Sequence, residues 1–174
     1  MTMSYPDLTE TVRVFMAQEV EHDGDDLYAG KFFNDAGVAA WKTLLLEACV
    51  SGTDASLAAA IRSKPYLRAQ YERRTKNGIS MVTVPYNAHE TIADNNFSRF
   101  YLRGLCRHAI EIGVPHLVGY RAKRVDNPRP GSNEKIGAIF PVTDMLADLR
   151  ATMSTSPALG MPPGVGSGIL ARLP

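Results

Sequence analysis

The sequence predicts an α+β fold: a helix-rich single domain with a small β-sheet and an extended C-terminal arm. Three observations lead there. Apolar residues recur at helical spacing in six separated segments, and β-branched alternation marks two short strands. The last stretch, "SPALGMPPGVGSGILARLP", holds Gly160, Gly164, Gly166 and Gly168 among Pro157, Pro162, Pro163 and Pro174. Such a composition builds neither a helix nor a sheet interior. The chain is therefore divided into an acidic helix and loop (1–35), a core (36–150) and an arm (151–174).

The first helix is predicted from Asp7, which with Glu10 makes a capping-box pattern after Pro6. Leu8, Val12, Met16 and Val20 give it one apolar face, and the acidic "EHDGDDLYAG" ends it. The second helix, "AGVAAWKTLLLEACV", is apolar on nearly every side and carries the single tryptophan, Trp41, so it is expected at the centre of the core. "TDASLAAAIRS" starts a third helix behind Thr53 or Asp54. Pro65 breaks that pattern and opens a fourth, "PYLRAQYERRTKNG", which Asn77-Gly78 closes. The alternating "ISMVTVP" is a strand. A long helix, "DNNFSRFYLRGLCRHAIEIG", follows from Asp94 or Asn95 and stops at Gly113-Val114-Pro115. "HLVGYRAKRV" is the second strand, paired with the first in one sheet spanning 79–85 and 116–125. After the turn-rich "DNPRPGSNEKIG", a last short helix is capped by Thr143. Trp41, Leu45, Leu57, Ile61, Phe97, Tyr101 and Leu105 are predicted to share one core.

At 174 residues the chain can bury a substantial core. It contains no apolar run near the ~20 residues that span a bilayer, so no membrane partner is expected. "MTMSYPDLTE" is no secretory signal. Cys49 and Cys106 lie far apart in apolar helical segments and are read as buried thiols in a reducing compartment.

No motif points to catalysis, and no enzyme activity, cofactor or metal is expected. His22, His89, His108 and His116 lack metal-site spacing. The loop from Asp23 has Tyr28 and Asn34 where a calcium loop needs Gly and Glu. "GVGSG" lacks the strand before it and the helix after it that would aim amides at a phosphate. No Gly-x-Ser-x-Gly elbow sits between a strand and a helix.

Three features remain. The charge is polar along the chain: residues 1–35 hold eight acids and two bases, residues 99–135 eight bases and three acids. Within the basic stretch Arg99, Arg103 and Arg107 share one helix face, opposite the apolar side. Arg121, Lys123, Arg124 and Arg129 follow, and the whole set is the predicted contact for a neighbouring subunit or nucleic acid. The third feature is the arm. Ordering such a tail costs on the order of 1–2 kcal/mol per residue. Leu159, Met161, Val165, Ile169, Leu170 and Leu173 are the apolar anchors that would offset this cost, and the expected host is a neighbour.

Together these features predict a structural subunit of a large homo-oligomeric assembly, joined by terminal arms and charge complementarity. Small α+β bodies with extended arms are similar in design to capsid-associated and head–tail connector or neck proteins of tailed phages. That similarity implies a virion protein assembled in the host cytoplasm. The alternative is a cytoplasmic nucleic-acid-binding protein. Residues 53–85 resemble a winged helix-turn-helix in the order of their elements, which implies that Arg68, Arg73, Arg74 and Lys76 contact DNA.

Overall fold

The computed structural model describes every residue except 1–2, 129–130 and 165. The elements run α1 (Glu10–Asp23), α2 (Asp35–Ser51), α3 (Asp54–Arg62), β1 (Gln70–Thr75), β2 (Gly78–Thr83), α4 (Ala88–Glu111), β3 (His116–Arg121), β4 (Ile139–Pro141), α5 (Val142–Ala151) and β5 (Ile169–Arg172). The fold is α+β and helix-rich. Among the described residues no helix is long and apolar enough to cross a membrane.

Helix α4 organises the body, packing against α1, α3 and α5. From Phe97 to Cys106 every residue of α4 is buried, so over those turns the helix has no solvent face. It approaches α1 closely at Gly104, where a Cβ would lie 2.8 Å from the Val12 carbonyl and 2.9 Å from the Met16 amide. The seven residues predicted to share a core do so, each at most 1% exposed. Val12, Met16 and Val20 of α1 and Ile169, Leu170 and Ala171 of β5 join the same cluster, so the acidic front and the arm belong to the body.

Local chemistry sets the helix ends. Thr9, not Asp7, caps α1, its hydroxyl accepting from the Val12 amide at 3.3 Å. Asn34 caps α2, and Thr53 with Ser56 forms a reciprocal capping box on α3. Helix α4 begins at Ala88, so "AHETIA" is its first turns and not a loop. Helix α5 begins at Val142 behind Pro141, and the Thr143 cap is not used.

Residues 65–76 are not a helix. They lead into β1, which pairs antiparallel with β2 in a hairpin from Gln70↔Thr83 to Thr75↔Gly78. Asn77-Gly78 serves equally as a helix stop or a hairpin turn. Here the positive φ the turn needs falls on Gly78 (φ 120°), since no described non-glycine residue adopts one. The two predicted strands also belong to separate sheets. β3 is the middle of a three-stranded antiparallel sheet in the order β4-β3-β5.

The third strand of that sheet comes from the tail, which corrects the expectation of a free arm. Tyr120 pairs with Leu170 and Val118 with Arg172. Upstream, the Asp148 carboxylate accepts from the Ala158 and Leu159 amides, both at 2.8 Å, and Lys135 donates to the Leu159 carbonyl. The Leu173 amide donates to Asp7 at 3.0 Å. Met161, Ile169 and Leu170 are fully buried, and Leu159 and Leu173 are half-buried. Five of the six anchors thus seat on their own domain; Val165 lies outside the described residues. The sequence reading missed β5 because "ILAR" is short and follows three glycines in five residues (164–168).

Candidate interaction surface

The arginine stripe does not face outward. Arg103 has no exposed surface and forms the centre of an ion cluster inside the chain. Its Nε donates to Glu19 Oε2 at 2.9 Å, and its two terminal nitrogens grip the Asp23 carboxylate at 2.7 and 2.6 Å. The Phe100 ring lies beneath its guanidinium, 4.7 Å from the centroid. Glu19, also fully buried, accepts from Arg150 at 2.6 and 2.9 Å and from Arg107 at 3.4 Å. Burial alone would raise the Glu19 carboxyl, but hydrogen bonds and charges from Arg150 and Arg103 outweigh it and hold it below the ordinary range.

Arg99, 3% exposed, closes the end of α5. It donates to the carbonyls of Leu149, Thr152 and Thr155 at 3.2, 2.7 and 2.9 Å, satisfying acceptors that a helix C-terminus leaves open. Burial, with the charge of Arg103 one turn away, pulls its guanidinium below its usual value. Arg107 is the only one of the three with an appreciably exposed side chain, and it stacks on Phe15. Glu19 and Asp23 stand four residues apart on α1, matching the four-residue spacing of the arginines on α4. That matched spacing was the sequence signal for an intramolecular cluster.

The remaining predicted contacts disperse. Arg121 bonds Asn133 and the Ser167 carbonyl, and Lys123 pairs with Asp94 at 3.2 Å. Arg124 is exposed beside Asp126. Arg129 lies outside the described residues. Among the described residues of this set none continues a basic face from α4, where Arg99 and Arg103 are buried.

The β1–β2 hairpin is different. Its base is fixed: the Arg68 amide donates to the Phe32 carbonyl, Arg68 Nε to the Phe33 carbonyl at 2.7 Å, and Phe32 meets the Tyr71 ring edge-on. Lys31 lies over that Tyr71 ring. Beyond Tyr71 and Val82 every residue of both strands is exposed. Because directly paired residues share a face, Glu72, Arg74, Ile79 and Met81 form one side and Arg73 and Ser80 the other. Ile79 is 61% exposed and Met81 58%. Among the described residues the side chains of Arg73, Arg74 and Lys76 have no hydrogen-bond or ion-pair partner. From Arg62 to Thr83 six cations stand against one carboxylate, Glu72. A two-stranded ribbon in water is at best marginally stable, and apolar side chains there gain nothing until something covers them.

The segment 53–85 lacks the third helix a winged helix-turn-helix requires, so only its hairpin part stands. Arg73, Arg74 and Lys76 are on that hairpin, and Arg68 is at its base.

Between α3 and α4 lie two adjoining clefts of about 350 and 410 Å³ that share Arg62, His89 and Glu90. The first also holds Asp54, Asp94 and Lys123. Burial raises the Asp54 carboxyl, and the neighbouring Asp94 charge adds to the rise against the Met3 amide bond that lowers it. Lys123 compensates Asp94. Among the described residues no three His, Cys, Asp or Glu side chains are grouped to hold a metal ion. Burial pushes both thiols, Cys49 and Cys106, up to about 12, so each is a poor nucleophile. Compared with protein-family models, with curated proteins and with solved structures, the chain gives no match.

Proposed function

We propose that the protein is a structural subunit that assembles with copies of itself, and that the β1–β2 hairpin is its contact element. A single observation carries the reading: a ribbon exposed on both faces that presents Ile79 and Met81 to solvent. A phage particle, capsid-associated or in the neck, is kept as the subunit's setting by likeness of design, on the small α+β body alone. The C-terminal arm gives this proposal no support, because its anchors are seated in its own domain.

The test is sedimentation velocity on the full chain and on a variant whose hairpin beyond Tyr71 and Val82 is replaced by an Asn-Gly turn. The full chain is expected to associate with rising concentration while the shortened chain stays monomeric and melts as before. A full chain that remains monomeric up to ~100 μM, a weak-association regime, refutes the proposal.

The free cations of Arg73, Arg74 and Lys76 favour a second reading, a β-ribbon laid on nucleic acid. In that case the full chain is monomeric alone and binds duplex DNA. Its log affinity then falls linearly with log salt, by up to about three phosphate contacts' worth.

A further inference from the structure

The hairpin needs a receptor, and the same chain carries a surface that matches it. Val14, Ala17, Leu46 and Val50 floor a groove of about 480 Å³ between α1 and α2. Val14 is 52% exposed and Val50 58%, so among the described residues nothing covers them. Glu10 and Glu21 stand at its edges, Glu21 paired with the exposed Lys42 at 2.6 Å. Its one guanidinium, Arg13, is turned away onto the carbonyls of Ala48, Cys49 and Gly52, where it closes the α2 C-terminus. The groove is therefore apolar at the floor and acidic at the rim. The hairpin face that carries Ile79 and Met81 also carries Arg74, with Lys76 at the tip beside it.

We infer that the hairpin of one copy docks into the α1–α2 groove of the next. This inference rests on the self-assembly reading and names its partner surface. Pairing hairpin to hairpin is the competing geometry, since both ribbon edges are open. Edge pairing joins backbone to backbone and leaves the face that carries Ile79 and Met81 uncovered. Docking into the groove covers that face and sets Arg74, which shares it, and Lys76 at the tip beside Glu10 and Glu21. The contact joins two different patches of the chain, so it is heterologous. An open chain of copies keeps one free hairpin at one end and one free groove at the other, so the contact propagates into rings or filaments.

The test is a charge swap read by sedimentation velocity. Arg74→Glu/Lys76→Glu on the hairpin, or Glu10→Lys/Glu21→Lys on the groove, is expected to raise the concentration for half-association at least about tenfold. Combined in one chain, the two sets should bring it back to within about threefold of the parent. Both sites are on the surface, and thermal melts check that each variant folds. As an independent readout, Met81→Cys mixed with Val50→Cys should give a disulfide-linked dimer under mild oxidation, because Cys49 and Cys106 are buried and do not compete.

If the parent associates and the hairpin set abolishes it while the groove set leaves it unchanged, the groove inference falls and the self-assembly reading stands. Failure of the combined set to recover association, or absence of the cross-link in a chain that associates, overturns the inference as well. A parent that never associates removes both.

Discussion

Replacing Arg103 by methionine separates two incompatible roles for the arginine stripe. On an exposed, partner-facing stripe the change would alter assembly and leave the stability of the subunit within about 0.5 kcal/mol. Inside the cluster it removes a side chain that donates to Glu19 and holds Asp23 through two short bonds. Breaking a buried ion pair by deleting one partner destabilises by about 3–5 kcal/mol, since a charge is left behind. Two details place the loss near the lower end. Glu19 keeps Arg150 and Arg107, so its charge stays compensated. Asp23 is 10% exposed at its side chain and can recruit water. The expected loss is about 3 kcal/mol, a fall in melting temperature of about 6–12 °C for a chain of this size. Arg103→Lys should recover only part of it, because an ammonium cannot reproduce the planar fork. Urea denaturation of Arg103→Met, with Arg124→Gln as a surface control, provides the measurement. A midpoint for Arg103→Met as close to the parent as that of the control would refute the buried-cluster argument.

Glu19 makes stability pH-dependent. Its carboxyl is held below the ordinary range in the folded chain, so it contributes stability above that range, lost as pH falls through its folded value. Glu19→Gln should weaken the protein at neutral pH and flatten the acid limb of a stability–pH curve; an unchanged acid limb would sink the idea. Deleting 169–174 removes β5 and the buried Ile169 and Leu170, about 1.5–3 kcal/mol for each side chain before the lost strand pairing is counted. That truncation should abolish the cooperative melt followed by circular dichroism, whereas shortening the hairpin should leave it. The two thiols, pushed up to about 12, should resist a disulfide reagent at pH 8 in the native chain and react once it is denatured.

What was legible in the sequence was what depends on local spacing. The apolar faces of α2 and α3 were readable because burial follows the 3.6-residue period, and the predicted core residues are buried together, those of α4 included although that helix is buried all round from Phe97 to Cys106. Two kinds of feature escaped. Residues 65–83 carry signals that local chemistry cannot separate, since Asn77-Gly78 ends a helix as well as it turns a hairpin. The environment of Arg99 and Arg103 is set by other elements: α1 and α5 cover the face of α4 that spacing alone would turn to water. The tail was misjudged for a related reason. Its glycine and proline content describes the unfolded chain, while the Asp148 and β3 hydrogen bonds that hold it involve residues far away in sequence.

The charge asymmetry along the chain gains a sharper meaning once the internally satisfied charges are set aside. Asp7 binds the Leu173 amide, and Glu19 and Asp23 hold Arg103. Arg99 caps α5, Arg13 caps α2, Arg121 bonds Asn133, and Lys123 answers Asp94. These groups stabilise the subunit and have little field left to attract a partner. Among the described residues the cations that keep theirs include Arg62 and Lys64, at and just beyond the end of α3, and Arg73, Arg74 and Lys76 on the hairpin. Exposed carboxylates persist on and beside α1 and α2: Glu10, Asp25, Asp26, Asp35 and Glu47, with Glu21 answered only by a solvent-exposed Lys42. Exposed charges at the two sites are screened within about 10 Å at 0.1 M salt, so they steer and orient an encounter more than they hold it. The holding force falls to Ile79, Met81, Val14 and Val50. Salt should therefore slow association while leaving its apolar component in place.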